Sequence, residues 1–539
     1  MLEQRLFVNA RFHTLWAPEP QVQAVLTRGE RIVALGRREE LSAHASGPVE
    51  IVDLDGATVI PGLTDAHIHT ANLAREIAAL DLRGTGSLEE ALERVRVYSD
   101  GVPAGSWVFG GRWDFNAWAA PVQPNRRELD AVTAGRPAAL PSIDGHTIWA
   151  NSAALAAVGI DRSTPDPVGG EIVRDAHGEP TGILREAAGD KLADIMHSAE
   201  AGDLRAQLLT AQHRLLAAGL TGVHDFDGED ARAAYADMRE SGQLQIRVHK
   251  AIPMTALDQA IDEGRATGDG DAWLRTGPVK LFSDGALGSH SCHMTAPFPG
   301  EDGNRGIEVI PYGELRELVR RAAGAGIAVA THAIGDRANE LVLDAYADLA
   351  RHPLDPPASL TRPASRLRHR IEHAQHLRPG DIGRMARLGV VPSMQPTHCT
   401  TDIPLASTLL AGRDLASYAW RSLLDAGAVP AFGSDAPVEH PDPMFGIHAA
   451  VTRQNGNHQP DGGWQPGECV TVAEAVGAFT AGAAYASGEE AHKGRLRPGM
   501  LADFTALVED PFTAPTSGLR DIPVQSTTVG GVVRYRRTL

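Results

Sequence analysis

Cysteine is nearly absent from this chain of 539 residues: Cys292, Cys399 and Cys469 are the whole complement, and no two form a CxxC pair. That excludes a disulfide framework and a cysteine-rich zinc site, and it fits a reducing compartment. Long apolar runs are missing as well. No window reaches the ~18 apolar residues of a membrane span, and the start, MLEQRLFVNARFHTLW, has no basic stretch followed by an apolar one. The expected location is cytoplasmic. Positive charge is in deficit, 50 basic against 68 acidic residues, for a formal net charge of −18. Neither a nucleic-acid backbone nor an anionic membrane is therefore an expected partner. Lysine is scarcest among the charged residues, with only Lys191, Lys250, Lys280 and Lys493, so a lysine inside an apolar segment stands out. A glycine-rich dinucleotide fingerprint and internal repeats are also lacking.

What is present is an ordinary globular composition, 43% hydrophobic and 22% charged, long enough for several units or one large barrel with additions. The first sixty residues read as short strands between glycine-marked turns: LFVNARFHTL, VQAVLTRGERIVALG and VEIVDLDGATVIPG. They predict a small antiparallel sheet unit. The closing ADFTALVED and STTVGGVVRYRR resemble them. Neither piece buries two sheet faces alone, so residues 1–60 and 495–539 are expected to pack as one β-sandwich. Between them, apolar β-rich runs alternate with Ala/Leu/Arg helical stretches. Eight such runs are VIPGLTDAHIH, GLTGVHDFD, LQIRVHKAI, PVKLFSDG, IAVATHAIGD, RHRIEHAQH, VVPSMQP and VPAFGSDAP. They predict an α/β fold, a (β/α)8 TIM-type barrel over 61–72 and 218–494. Residues 73–217 exceed any usual connection and are expected to form an inserted subdomain or lid after the first barrel strand.

Chemistry-bearing residues recur at the ends of these runs. His67 and His69 in DAHIH are two apart on a strand, so both imidazoles point one way and can clamp a divalent ion. Lys280 ends the fourth run, where a buried ammonium costs several kcal/mol unless paired. Two readings stay open there: an ion pair with Asp284, or a neutral amine that has taken up carbon dioxide, its carbamate bridging two metal ions. His332 in THAIGD and His373 in IEHAQH end the fifth and sixth runs, and Asp435 in AFGSDAP ends the eighth. Asp435 reads either as an Asx-turn ahead of Pro437 or as a carboxylate that touches a metal and takes a proton from bound water. Four histidines, one lysine and one aspartate thus converge on one barrel mouth. Jointly they signal a two-metal hydrolytic site for zinc-class ions.

These motifs resemble the amidohydrolase superfamily, and within it the branch containing the N-substituted formamide deformylases. The resemblance runs nearly end to end, through VIPGLTDAHIH, DGHTIWANSAAL, GGEIVRDAHGEPTGILRE, VKLFSDGALGS, THAIGDRA, IEHAQ and GSDAP to the closing KGRLRPGMLADF. It implies that His67, His69 and Asp435 hold one divalent metal and His332 and His373 a second. Carboxylated Lys280 would bridge them, with zinc as the expected ion; one metal rather than two stays compatible. The activity so implied is cleavage of an amide-like C–N bond in a small molecule by metal-bridged hydroxide, with Asp435 moving the proton. His146 in DGHTIWANS is the expected contact to substrate or oxyanion, or else a structural histidine. Trp113 and Asp114 in GGRWDFNAW, Arg305 in GNRG and Gln395 in SMQP are further candidates for the substrate pocket. Cys292 and Cys399 read as small buried residues. The alternatives are a single-metal deaminase of amidines or heterocycles, an ester or lactone hydrolase on the same site, and a metal-free scaffold. Such deaminases usually carry a Glu near the fifth-strand histidine, which THAIGD lacks. A homodimer is the expected assembly.

Overall fold

Eight parallel strands follow one another in sequence order: Leu63–Ile68, Leu220–Asp225, Arg247–Pro253, Leu274–Phe282, Val329–Ala333, Arg370–His373, Val391–Met394 and Ala431–Phe432. Each of the eight expected runs supplies one of them. In this computed structural model residues 3–538 are described, apart from 104, 144–146, 193–194, 196–202, 302, 353 and 355–366. The chain divides into two units, Met1–Thr70 with Ala211–Leu539, and Ala71–Thr210. The eight strands belong to the first. Leu63–Ile68, Leu220–Asp225, Arg370–His373 and Val391–Met394 are buried at every position, as a parallel sheet covered on both faces requires.

Helices follow the strands for reasons visible in their sequences. Tyr312–Gly324 buries Leu315, Val319, Ala322 and Ala323, a stripe at helical spacing. Pro379–Leu388 starts on a proline and stops at Gly389, whose φ of 66° is the left-handed cap that ends many helices. The eighth strand meets the first across a seam. Asp435 N–H donates to His67 O at 2.7 Å, and His69 N–H to Ala436 O at 2.9 Å. The Asp65 carboxylate accepts both the amide (3.0 Å) and the hydroxyl (2.5 Å) of Ser434. Gly433 makes the approach possible, because a Cβ there would stand 2.4 Å from His67 N and 2.6 Å from Asp65 Oδ1.

The early and late segments of the chain build two further sheets. Arg31–Gly36, Ala24–Arg28, Gln4–Val8 and Val49–Asp53 form one. The other interleaves Val532–Arg536, Val524–Val529 and Phe504–Leu507 with Thr58–Pro61, Arg11–His13 and Gln21–Val22. Phe7 and Phe12 meet Phe504 edge-on, with ring centroids at 4.8 and 6.1 Å. The antiparallel unit expected from the turns of the early segment is instead a mixed one. Gln4–Val8 pairs parallel to Val49–Asp53, because helix Arg38–His44 carries the chain back before the second strand begins. Arg247 of the third barrel strand ties the barrel to this region through a two-pronged, buried ion pair with Asp503, at 2.6 and 2.9 Å.

The second unit carries its own six-stranded sheet, in the order Gly170–Arg174, Pro180–Glu186, Thr147–Ala150, Ala138–Pro141, Val108–Gly111, Leu80–Asp81. Trp113, Trp118 and Trp149 pack with Leu129 and Leu140 into its core. Among the described residues, no helix is long and apolar enough to cross a membrane.

Candidate metal centre

Strand alternation alone would send Glu372 and His373 to opposite faces of the sixth strand. The backbone prevents this, since His373 and Ala374 both adopt left-handed φ, 72° and 44°. Glu372 and His373 can then both serve the barrel interior. Asp435 is likewise left-handed, at 60°. Non-glycine residues in this region cost roughly 1–3 kcal/mol and cluster where function requires them.

His67, His373 and Asp435 each offer a ligand atom, all within 4.8 Å of one another. Asp435 Oδ1 lies 3.4 Å from both His67 Nε2 and His69 Nε2. Three imidazoles are held from behind at Nδ1: His67 donates to Glu372 Oε2 at 2.6 Å, His69 to Asp227 Oδ1 at 3.1 Å, and His373 to Gln395 Oε1 at 2.8 Å. This pattern puts the proton on Nδ1 and leaves the Nε2 lone pair for a metal. His67 Nε2 is buried and makes no hydrogen bond, an orphan that a metal ion would satisfy. His332 is arranged the other way round. Its Nε2 donates to Gly285 O at 3.1 Å, so Nδ1 is its free lone pair. The donor set therefore fits a zinc-class ion.

Burial sets the electrostatics. It pushes His67 down to about 4 and His332 to about 3, with the Lys280 charge adding to both. His69 overcomes burial through the carboxylates of Asp227 and Asp435 and rises to about 9. Against the cost of burial, His67, His398 and His69 hold Asp435 well below the usual carboxylate range. Glu372 is lowered too, its burial outweighed by Arg370 and His67. Arg370 grips it at 2.7 and 3.0 Å while donating also to Ala66 O and Ser393 Oγ.

Lys280 is only 3% exposed and burial lowers it to about 8. It does not pair with Asp284. That carboxylate is committed to the backbone N–H groups of His293, Ile334 and Gly335, and burial pushes it up to about 7. The Lys280 ammonium stands instead over the rings of Phe226 and Phe282, at 4.9 and 5.0 Å. The Asp435 carboxylate faces histidines and makes no Asx-turn.

A cleft of about 380 Å³ opens over His67, His69, Lys280, His332, His373 and Asp435, so the six expected ligands share one cavity. The described substrate candidates have partners of their own. Trp113 is buried in the core of the second unit, its indole N–H donating to Leu140 O at 2.7 Å, because the ring's large apolar area packs best there. Asp114 caps the short helix Phe115–Ala117. Arg305 donates to Thr295 O and is not among the described lining residues. Gln395 sits behind His373 rather than on the wall. His146 lies outside the described residues. Cys292 and Cys399 are buried, and burial raises both thiols, Cys399 to about 12. Three groups escaped the sequence reading: Glu372, Asp227 and His398. His398 follows the seventh strand in PTHCT, and its Nε2–H donates to Asp435 Oδ2 at 3.2 Å. Burial is outweighed by Asp435 and Glu439, which raise it to about 10.

The Amidohydrolase family profile matches residues 50–535. YtcJ of Bacillus subtilis (strain 168) is 32% identical over 98% of this chain and 98% of its own. N-substituted formamide deformylase of Arthrobacter pascens is 32% identical over 99% of this chain and 98% of its own. The crystal structure of an uncharacterized metal-dependent hydrolase from Pyrococcus furiosus superposes with a TM-score of 0.76 at 28% identity, covering 95% of this chain and all of that one.

Proposed function

The chain belongs to the amidohydrolase family and is a hydrolase; from that premise we propose that it cleaves an amide-like C–N bond of a small molecule with two divalent ions, zinc first among them. The observation that carries the reading is the set of imidazoles pinned at Nδ1 around Asp435, with His67 Nε2 left unsatisfied. His67, His69 and Asp435 would hold one ion, His332 and His373 the other. Such ions, when bound, polarise a carbonyl and lower the pKa of water toward neutrality. Asp435, hydrogen-bonded at Oδ2 by His398, accepts the proton of the attacking water and returns it to the leaving nitrogen. His398 fixes the direction of that carboxylate. In the same proposal His146 stabilises the developing oxyanion. Lys280 carries a carbamate, formed as its neutral amine adds to carbon dioxide with loss of one proton. Its burial without a carboxylate of the described residues at ion-pair distance supports this, since an added anion would end its isolation. The substrate is a small molecule, and two copies of the chain pair as a homodimer.

A single-ion hydrolase is the second reading. It is favoured by the closest described ligand cluster, which joins His67, His373 and Asp435 across the two expected sites. Elemental analysis of protein purified without added metal or chelator separates the two. About two equivalents per chain, falling in Lys280→Ala, is the expected result. About one equivalent, unmoved by that substitution, selects the single ion. No metal even after reconstitution with bicarbonate would sink both.

A further inference from the structure

Three carboxylates line the cleft: Asp402, Asp435 and Glu439. Two are matched by imidazoles. Asp435 lies against His67, His69 and His398, and Glu439 lies 3.5 Å from His398 Nδ1 while accepting the Thr401 hydroxyl at 2.8 Å. Asp402 differs. Its Oδ2 accepts the Tyr418 hydroxyl at 2.6 Å and the Gln375 side-chain amide at 2.9 Å, both neutral donors. No described Lys, Arg or His lies within ion-pair distance of it, and its Oδ1 accepts no hydrogen bond from a described residue.

The support behind Asp402 is rigid. Tyr418 and Gln375 are buried, the Gln375 amide also meets the Tyr418 hydroxyl, and Tyr418 N–H donates to Gln375 O at 2.7 Å. One oxygen is thus fixed by the protein, the other has no described donor, and the residue lines the cavity. Lys280 is the only Lys or Arg among the described lining residues, and it lies buried at the floor. The same cavity exposes apolar surface, with Phe282 43% and Val438 69% exposed. A carboxylate partly withdrawn from water without a counter-charge is costly, and a charge-assisted hydrogen bond from a ligand offsets that cost.

Resting on the hydrolase reading above, we propose that Asp402 determines specificity by receiving a cationic group of the substrate. The substrate class is then an amide whose apolar stem ends in an ammonium or amidinium, rather than one ending in a carboxylate.

The test uses the metal-loaded enzyme. In calorimetry, benzylammonium should bind about tenfold or more tightly than benzyl alcohol, Asp402→Asn should abolish that preference, and Asp402→Glu should restore part of it. In turnover, monoformyl-1,4-diaminobutane is compared with N-butylformamide. Asp402→Asn should lower the ratio of their kcat/KM values by about tenfold or more, chiefly through KM. Equal or absent binding of the two benzyl probes overturns the proposal, as does a variant that weakens both alike. Turnover of N-butylformamide with no advantage for the ammonium-bearing amide also overturns it, while the hydrolase reading stands. If neither amide turns over but the calorimetric preference depends on Asp402, the role of Asp402 holds and the reading that the chain cleaves such amides fails.

Discussion

The imidazoles of His67, His69 and His373 each have Nδ1 spoken for, and that decides what a metal meets. Glu372 holds His67 at 2.6 Å and is itself clamped by Arg370, so a change two bonds away from the ion should still be felt. Glu372→Gln keeps the shape but removes the charge; metal affinity should fall about 10–100-fold, read by chelator competition. Asp435→Asn should retain most of the metal and lose about 10²–10⁴-fold in kcat, read by elemental analysis beside turnover. Retained turnover would remove Asp435 from proton transfer. At this scale the six ligand candidates were legible because each lies at or close to the end of a barrel strand, where the side chains of a barrel mouth gather. Glu372 was not, although it precedes His373 in sequence. Alternation puts the two on opposite faces, and the left-handed backbone at His373 turns the imidazole toward the side that Glu372 shares with Arg370. His398 sits near the start of a helix, Pro396–Leu409, where no periodicity marks a functional side.

Strands and helices were the most readable level, since a buried parallel strand needs an unbroken apolar run and every such run became one. The eighth is the exception in length: of the run VPAFGSDAP only Ala431–Phe432 pair as strand, and the seam rests on Gly433, Ser434 and Asp65 rather than on a ladder. The sheet of the second unit was not legible, because strands of two to seven residues joined by varied connections leave little pattern. An ion-pair cluster fastens the segment after helix Ala483–Ala486 to the fourth barrel strand. Glu489 lies 2.8 Å from Lys493 and 3.0 Å from Arg275, beside His249, which burial lowers to about 3. Burial alone would raise Glu489, but Lys493 and its neighbours bring it from 4.5 down to about 2. A carboxylate lowered by folding stabilises fully above about pH 4.5 and loses that contribution as pH falls toward 2. Glu489→Gln should therefore destabilise at pH 7 by on the order of 3 kcal/mol. The gap from the parent should narrow in urea titrations run from pH 6 down to pH 3. A gap independent of pH would show that packing, not charge, is what Glu489 supplies.

For the whole molecule, the metal cluster draws on the first, sixth and eighth barrel strands and so spans the seam between the first and the last. Binding only to the folded state, metal at about 1,000 times its Kd would add about 4 kcal/mol. Chelation should accordingly lower the thermal midpoint, and added zinc should restore it; a midpoint indifferent to both would show that the ions do not brace the barrel. The α/β barrel class was readable, yet the mixed pairing of the early strands was not, because it depends on partners far along the chain. Val59 pairs with Ala506, and the ring of Phe504 closes on Phe7 and Phe12. On a ribosome adding about 5–20 residues per second, the roughly 450 residues between those partners take about 20–90 s to emerge. Throughout that interval the earliest strands present Phe7, Phe12 and Val59 without their cover. Strands made early are finished only by strands made late, and until synthesis reaches those partners they must be kept from other chains.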